Sequence, residues 1–523
     1  MMGNRFVPAA LHEVQPEEAG CMQGTRQGVL SMFMEWAKND PMRIFWLAGL
    51  AGTGKTSIAL TLSRMLHNEP GVLLGGTFFC SRTANVPELT DARCIIPTLA
   101  TALAERSKTF AAALTESLNA DSRAALKSVS VQLTALLQTP LAALSPPYCP
   151  IVFIIDALDE FSDDNEIKKL LQAISALKCD ATVKFILTSR PETHISTSPI
   201  SSLDFNTILK LHTIDTAEVT EDIRLYIIDA FSRQLLDEMW YTELDVTALA
   251  TRADGLFIFA STVISYILDT DSPGRRMARL QKVLSAINTE AAIGPLDAMY
   301  DLVVTRAASA RRTDTEELDE LDETKRVLAC ILTARVPLSV RALAELLNCE
   351  ATELRGSLRR LHSVVHVPDE YDQPGLRALH ASFGDYLFER AADRVRISRT
   401  LGDNALARGC IQLMQKRLHF NVSQSRSSYE PNQPSTVDSI ALSMKYACMQ
   451  WVYHIEKLPR TSMLDNEIYN SFRPRFLFWL EVMSVLGQVQ RATAMLIISI
   501  ATVSHKFNCI RASHSYRSCS LSR

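Results

Sequence analysis

The sequence predicts an α/β fold, a parallel sheet with helices on both faces, followed by helical and winged-helix-like domains. Three observations carry that prediction. Short β-rich apolar runs alternate with longer helical patterns between about residues 40 and 215, and such alternation implies parallel strands joined by crossovers. One strand-to-helix junction holds Gly49-Leu50-Ala51-Gly52-Thr53-Gly54-Lys55-Thr56, a string whose chemistry needs that context. After Asp215 the strand signal stops and helical periodicities take over.

The elements follow in order. Residues 1–40 read as a polar lead-in and one helix from about Thr25 to Ala37, with Val29, Leu30, Phe33 and Trp36 on one face. Strands are expected at Arg43–Ala48, Leu73–Phe79, Ile151–Ile155, Lys184–Thr188 and Thr207–Leu211, within a domain spanning 41–215. A helical domain takes 216–310. Arg311–Arg326, dense in charge, reads as a solvated helix face or linker. In 311–395 the apolar helices Val327–Leu332, Val340–Leu347 and Thr352–Leu361 precede a strand at Val364–Val367, a winged-helix pattern. A C-terminal helical domain fills 396–503, interrupted by a Ser- and Pro-rich loop at Ser423–Ser439. Residues 504–523 read as a disordered tail.

Composition narrows the function classes. A formal net charge of −4 argues against a basic nucleic-acid binder, so no direct nucleic-acid partner is expected. The eleven cysteines include no C-x-x-C pair, and no signal peptide precedes them. They read as free thiols in a reducing, cytoplasmic setting. The apolar stretches Leu256–Leu268 and Ala492–Val503 fall short of the roughly 20 residues a membrane span requires. Both read as buried helices.

The string Gly49–Thr56 satisfies G-x-x-x-x-G-K-[ST], so its backbone is expected to cradle phosphates at the start of a helix. Lys55 would bridge β- and γ-phosphates, and the Thr56 hydroxyl would ligate Mg²⁺. The alternative is a Gly-rich turn without a ligand. A second motif, Ile151-Val152-Phe153-Ile154-Ile155-Asp156-Ala157-Leu158-Asp159-Glu160, puts carboxylates at the C-terminal end of a buried strand, where open α/β sheets bind ligands. Asp156 is placed to hold Mg²⁺, and Asp159 or Glu160 to polarise an attacking water. Their alternative is an acidic helix N-cap. In the third, Phe185-Ile186-Leu187-Thr188-Ser189-Arg190-Pro191, Thr188 and Ser189 could contact the γ-phosphate and Arg190 could neutralise its charge. Arg190 could also be an ordinary surface residue.

In this order and spacing the motifs resemble the NACHT branch of the signal-transducing (STAND) P-loop ATPases, in the nephrocystin-like form found in large fungal NLR-like proteins. Further strings fit the resemblance, among them Cys21-Met22-Gln23-Gly24-Thr25-Arg26, Thr77-Phe78-Phe79-Cys80-Ser81-Arg82 and Leu379-His380-Ala381-Ser382-Phe383. The resemblance implies an ATP/ADP switch with Mg²⁺ as cofactor, closed with ADP and self-associating with ATP. In relatives a winged-helix histidine touches the ADP β-phosphate, and His380 is the matching position. Its alternative is a core histidine bonded to a backbone carbonyl. Two departures stand out. Gly255-Leu256-Phe257-Ile258 replaces the Gly-Leu-Pro-Leu of many relatives, and Ala157 stands where many have glycine. Relatives usually carry an effector domain in front and repeats behind, so a truncated remnant of such a protein, or a gene-model error, is an alternative reading.

Three functions compete: a regulated, slowly hydrolysing ATPase switch, a nucleotide-binding scaffold that hardly hydrolyses, and a small-molecule kinase. The acid pair after the second motif disfavours the kinase, because it suits water activation better than acceptor binding.

Overall fold

The computed structural model describes residues 5–84, 86–144, 149–161, 163–177, 182–191, 206–211, 214–233, 240–270, 272–289, 294–308, 314–422, 437, 440–459, 470 and 472–496. The chain divides into two compact units. The first is Met1–Tyr300 with His380–Ser382, and the second is Asp301–Leu379 with Phe383–Arg523.

In the first unit, strands β1 (Ile44–Ala48), β2 (Leu73–Phe79), β3 (Ile151–Asp156), β4 (Val183–Ser189) and β5 (Asn206–Lys210) form a parallel sheet in the order β2-β3-β4-β1-β5. Every residue of β1, β3 and β4 is buried, as a sheet covered on both faces requires. Alternation sorts the side chains. Phe45, Leu47, Val152, Ile154 and Ile186 join one core with helices α1 (Gln27–Asn39) and α2 (Lys55–His67). Trp46, Phe153, Ile155, Phe185 and Leu187 face the other, built with α3 (Ile95–Arg106), α4 (Lys108–Ala120), a helical stretch 129–142 and α5 (Asp164–Ser175). A lysine is buried inside this sheet, on β4. Lys184 runs its stem beside Trp36 and donates its ammonium to the carbonyls of Trp36 and Asp40, at 2.5 and 2.6 Å. The Trp36 carbonyl also accepts the Asp40 N–H at 3.3 Å, and both acceptors lie at the end of α1, so the buried cation is satisfied.

The lead-in is more than a polar tail. Its short turns Pro8–Ala10, His12–Val14 and Glu17–Ala19 lie on the α/β core, with Val7 and Ala10 buried. The Val7 N–H donates to Thr98 Oγ1 at 3.1 Å and the His12 N–H to Thr77 Oγ1 at 2.8 Å. Helix α1 begins at Gln27, two residues later than the sequence pattern indicates, because Arg26 takes a left-handed backbone (φ 58°).

Helices α6 (Thr216–Ser232), α7 (Glu243–Arg252), α8 (Phe257–Leu268) and α9 (Pro273–Thr289) follow the sheet. A reciprocal Thr242–Asp245 capping box starts α7. The 256–268 stretch is therefore a buried helix as expected, while 497–503 of the second apolar stretch lies outside the described residues. Among the described residues no helix is long and apolar enough to cross a membrane.

Helix α10 (Pro295–Ala308) contains the boundary between the units. The second unit holds α11 (Asp314–Thr333), α12 (Val340–Leu347) and α13 (Ala351–Arg359). Then come a two-residue hairpin, β6 (Val365–His366) with β7 (Arg377–Ala378), and helices α14 (Arg399–Arg417), α15 (Leu442–Glu456) and α16 (Phe476–Val485). The expected helix at Val327–Leu332 is the end of the longer α11, which runs through 314–326 of the charged segment, so of the two readings of that segment the helix and not the linker holds. A Cβ on Gly402 or Gly409 would sit 2.3 Å from the Ala329 carbonyl oxygen or 2.2 Å from that of Leu346. These two glycines let α14 lie directly against α11 and α12. The loop 423–436 and the tail 504–523 lie outside the described residues.

Candidate nucleotide site

The site begins where β1 ends. Its ladder closes with the Gly49 N–H donating to the Ser189 carbonyl at 3.1 Å, and the chain then turns through 50–54 into α2. Gly52 (φ +81°) and Gly54 (φ +90°) occupy left-handed backbone, which any other residue adopts at a cost. Gly52 is constrained twice. A Cβ there would lie 2.0 Å from Ile258 Cγ2, and its carbonyl accepts the Ile258 N–H at 3.1 Å. The loop is thus pinned from above by the start of α8.

Lys55 Nζ donates to the carbonyls of Gly49 and Leu50, at 2.7 and 2.9 Å. Burial lowers its pKa, against the raising influence of Asp159 and Asp156. On β3, Asp156 is fully buried and engaged at both oxygens. Thr188 donates to Oδ1 at 2.5 Å and Thr56 to Oδ2 at 2.8 Å. Burial raises the Asp156 carboxyl, and the two hydroxyls oppose the shift without cancelling it. A carboxylate forced into this setting gains from a nearby cation, and the exposed Thr56 lines the cavity above it. This donor set fits a divalent ion held by Thr56 Oγ1 and Asp156.

After Asp156 the chain turns at Ala157 in the left-handed region (φ 59°, ψ 54°). The Ala157 N–H donates to Thr188 Oγ1 at 2.9 Å. The turn directs Asp159 to Arg190, whose backbone N–H donates to Oδ1 at 2.9 Å and whose Nε lies 3.1 Å from Oδ2. Glu160 accepts the Arg82 N–H at 2.8 Å, and burial raises its pKa. The Arg82 guanidinium also donates to the carbonyls of Asp159, Glu160 and Phe161, clamping the turn.

Several of these groups line a cavity of about 300 Å³ in the first unit, while Asp156, Thr188 and Arg82 stand behind its wall. Ala51, Gly52, Gly54, Lys55 and Thr56 form one side, and Asp159, Glu160 and Arg190 another. Met22, Arg26, Tyr226, Phe257 and Ile258 provide a more apolar end suited to a flat base. Gly49, Leu50 and Thr53, expected as phosphate-loop residues, belong to the loop but do not line the cavity. His380 does line it. Its Nδ1 accepts the Ser382 N–H at 3.1 Å and lies 2.7 Å from Ser382 Oγ.

Ser189 requires a correction. It alternates onto the Trp46 face of the sheet, fully buried, where its hydroxyl accepts the Trp46 indole N–H at 2.9 Å and donates to the Arg190 carbonyl. It supports the strand end and does not reach the cavity. Thr188 points to the correct face, but its hydroxyl orients Asp156 instead of facing the cavity.

Arg26, like Arg82 and Ile258, has a role that no sequence motif indicates. It is buried, its guanidinium donates to the Thr53 carbonyl at 2.9 Å, and it lies 4.8 Å from the Phe257 ring centre. Its backbone N–H donates to Asp222 at 3.0 Å. Its position just ahead of α1 was visible, but its partners lie 27 to 231 residues away, beyond any local pattern.

Residues 24–190 match the family model described as Nephrocystin 3, N-terminal. The chain is also similar to the vegetative incompatibility protein HET-E-1 of Podospora anserina, with 21% identity over 529 residues. That match covers 90% of this chain but 36% of HET-E-1, so the chain spans about a third of its relative's length. Among solved structures, the Drosophila ORC bound to DNA aligns with a TM-score of 0.29 and 14% identity, over 71% of this chain and 89% of that one. RuvB of Thermotoga maritima aligns with a TM-score of 0.25 and 17% identity, over 71% and 96%. The phosphate loop and the acidic strand end both fall within residues 24–190, the segment that is similar to the NACHT-like nephrocystin 3 N-terminal family.

Proposed function

We propose that the chain is an ATP- and ADP-binding switch with slow Mg²⁺-dependent ATP hydrolysis, controlling self-association in signalling or defence. The observation that carries this reading is the Thr56–Asp156 pair, 2.8 Å apart, with Thr56 and Lys55 lining the cavity and Asp156 buried behind Thr56. Lys55 would bind the β- and γ-phosphates, Thr56 and Asp156 would hold the metal, and Arg190 would meet the γ-phosphate. Bound Mg²⁺ would neutralise charge on the phosphate oxygens. Asp159 and Glu160 are the candidates to accept a proton from water. Both are engaged, by Arg190 and Arg82, which fits slow turnover. That engagement also favours the second reading, a nucleotide-binding scaffold without significant hydrolysis. The resemblance to a vegetative incompatibility protein supports the signalling or defence role. As a working division we take 41–215 as the nucleotide domain, 216–310 as helical, 311–395 as winged-helix-like and 396–503 as C-terminal helical.

Identifying the nucleotide that co-purifies, and measuring hydrolysis with and without Glu160→Gln, tests the proposal. ADP or ATP in the preparation and a slow rate that Glu160→Gln abolishes are expected. Bound nucleotide with no turnover in either protein would favour the scaffold, and absence of adenine nucleotide binding would refute both.

A further inference from the structure

At the far end of the P-loop helix the structure gathers three side chains able to ligate metal that the nucleotide site does not use. His12 is 6% exposed, whereas Glu13 and His67 are exposed, and one ligating atom from each lies within 4.8 Å of the others. The His12 and His67 rings stand 5.4 Å apart. His12 Nδ1 is 3.0 Å from Glu13 Oε2, yet it makes no hydrogen bond and is buried from solvent. A buried ring nitrogen without a hydrogen bond is costly, and here it sits beside a carboxylate and a second imidazole.

We propose that His12, Glu13 and His67 form a site for a divalent ion of the zinc class, tying the N-terminal segment to the end of α2. Two imidazoles and a carboxylate are a donor set that zinc accepts, with a fourth position for water. Tetrahedral ligands around zinc lie roughly 3.4 Å apart. Glu13 Oε2 and His12 Nδ1, 3.0 Å apart, are already close to that spacing. His12 is preset, since its backbone N–H is held by Thr77. The neighbouring cations are occupied. Arg106 pairs with Glu13 Oε1 at 2.6 Å, on the other oxygen, and Arg64 donates to the carbonyls of Pro16 and Glu17. His67 is the last residue of α2, where the helix dipole presents negative charge to a cation.

The test titrates the EDTA-treated full chain with Zn²⁺ by calorimetry, beside His67→Ala and Glu13→Gln. A parallel Co²⁺ titration, read by absorbance, identifies the ligands, because the chain's thiols would produce a strong sulfur charge-transfer band. Expected are one equivalent bound, Co²⁺ bands without sulfur ligation, and affinity reduced at least about tenfold in both variants. His67→Ala should keep the metal-free melting temperature, since that side chain is exposed. Equal affinity in wild type and His67→Ala, a thiolate spectrum, or no saturable uptake would overturn the site.

Discussion

Asp156 shows how one carboxylate is readied by its neighbours. Thr188 fixes one oxygen and Thr56 the other, so the side chain has a single orientation, while burial works against its charge. If that charge serves a metal, Asp156→Asn should weaken ATP binding more with Mg²⁺ than with EDTA. Fluorescence titration under both conditions reads the difference, and equal losses would reassign Asp156 to a structural role. The next residue carries a cost. Ala157 sits at φ 59°, which an L-residue adopts at about 1–2 kcal/mol, while glycine there gives back about 0.5–1 kcal/mol in unfolded-state entropy. Ala157→Gly should therefore stabilise the protein by about 0.5–1 kcal/mol in denaturant unfolding. A loss of stability would show that the alanine methyl contributes packing that outweighs the strain.

At the scale of elements, most of the sheet could be read from sequence because buried parallel strands are uninterrupted apolar runs. β2 matches its expected bounds, and the others shift by a residue at their ends. The phosphate loop and acidic strand end were equally legible, since both are local strings. Ser189 was misread because strand alternation decides its direction, and Trp46, 143 residues away, takes its hydroxyl. Arg26, Arg82 and Ile258 were missed for the same reason: their roles are fixed by contacts distant in sequence. The polar lead-in hid its attachment, which depends on backbone N–H groups meeting Thr77 and Thr98. Ile258 supplies an element-scale prediction. Gly52→Ala would drive a methyl into Ile258 and force φ +81° on an alanine, costing about 2–3 kcal/mol. Thermal unfolding should register that loss together with weakened nucleotide binding. Unchanged values for both would mean that the start of α8 does not constrain the loop.

Across the whole molecule, the proposed switch depends on His380. Its Nδ1 accepts from Ser382, which puts the neutral ring's proton on Nε2, a donor suited to phosphate. His380→Leu should weaken ADP more than ATP by about 1–2 kcal/mol, a five- to thirtyfold change in preference at about 1.4 kcal/mol per tenfold. The variant should also self-associate more readily. Calorimetry with both nucleotides and light scattering would check this, and an unchanged ratio in a monomeric, destabilised protein would make His380 structural. All of these outcomes presuppose that the nucleotide binds at Lys55. Its side chain donates charge to the loop and cavity and fills no core, so Lys55→Ala should keep the fold by circular dichroism while abolishing ATP binding in a fluorescence titration. Equal ATP affinity in wild type and variant would contradict the account at its foundation.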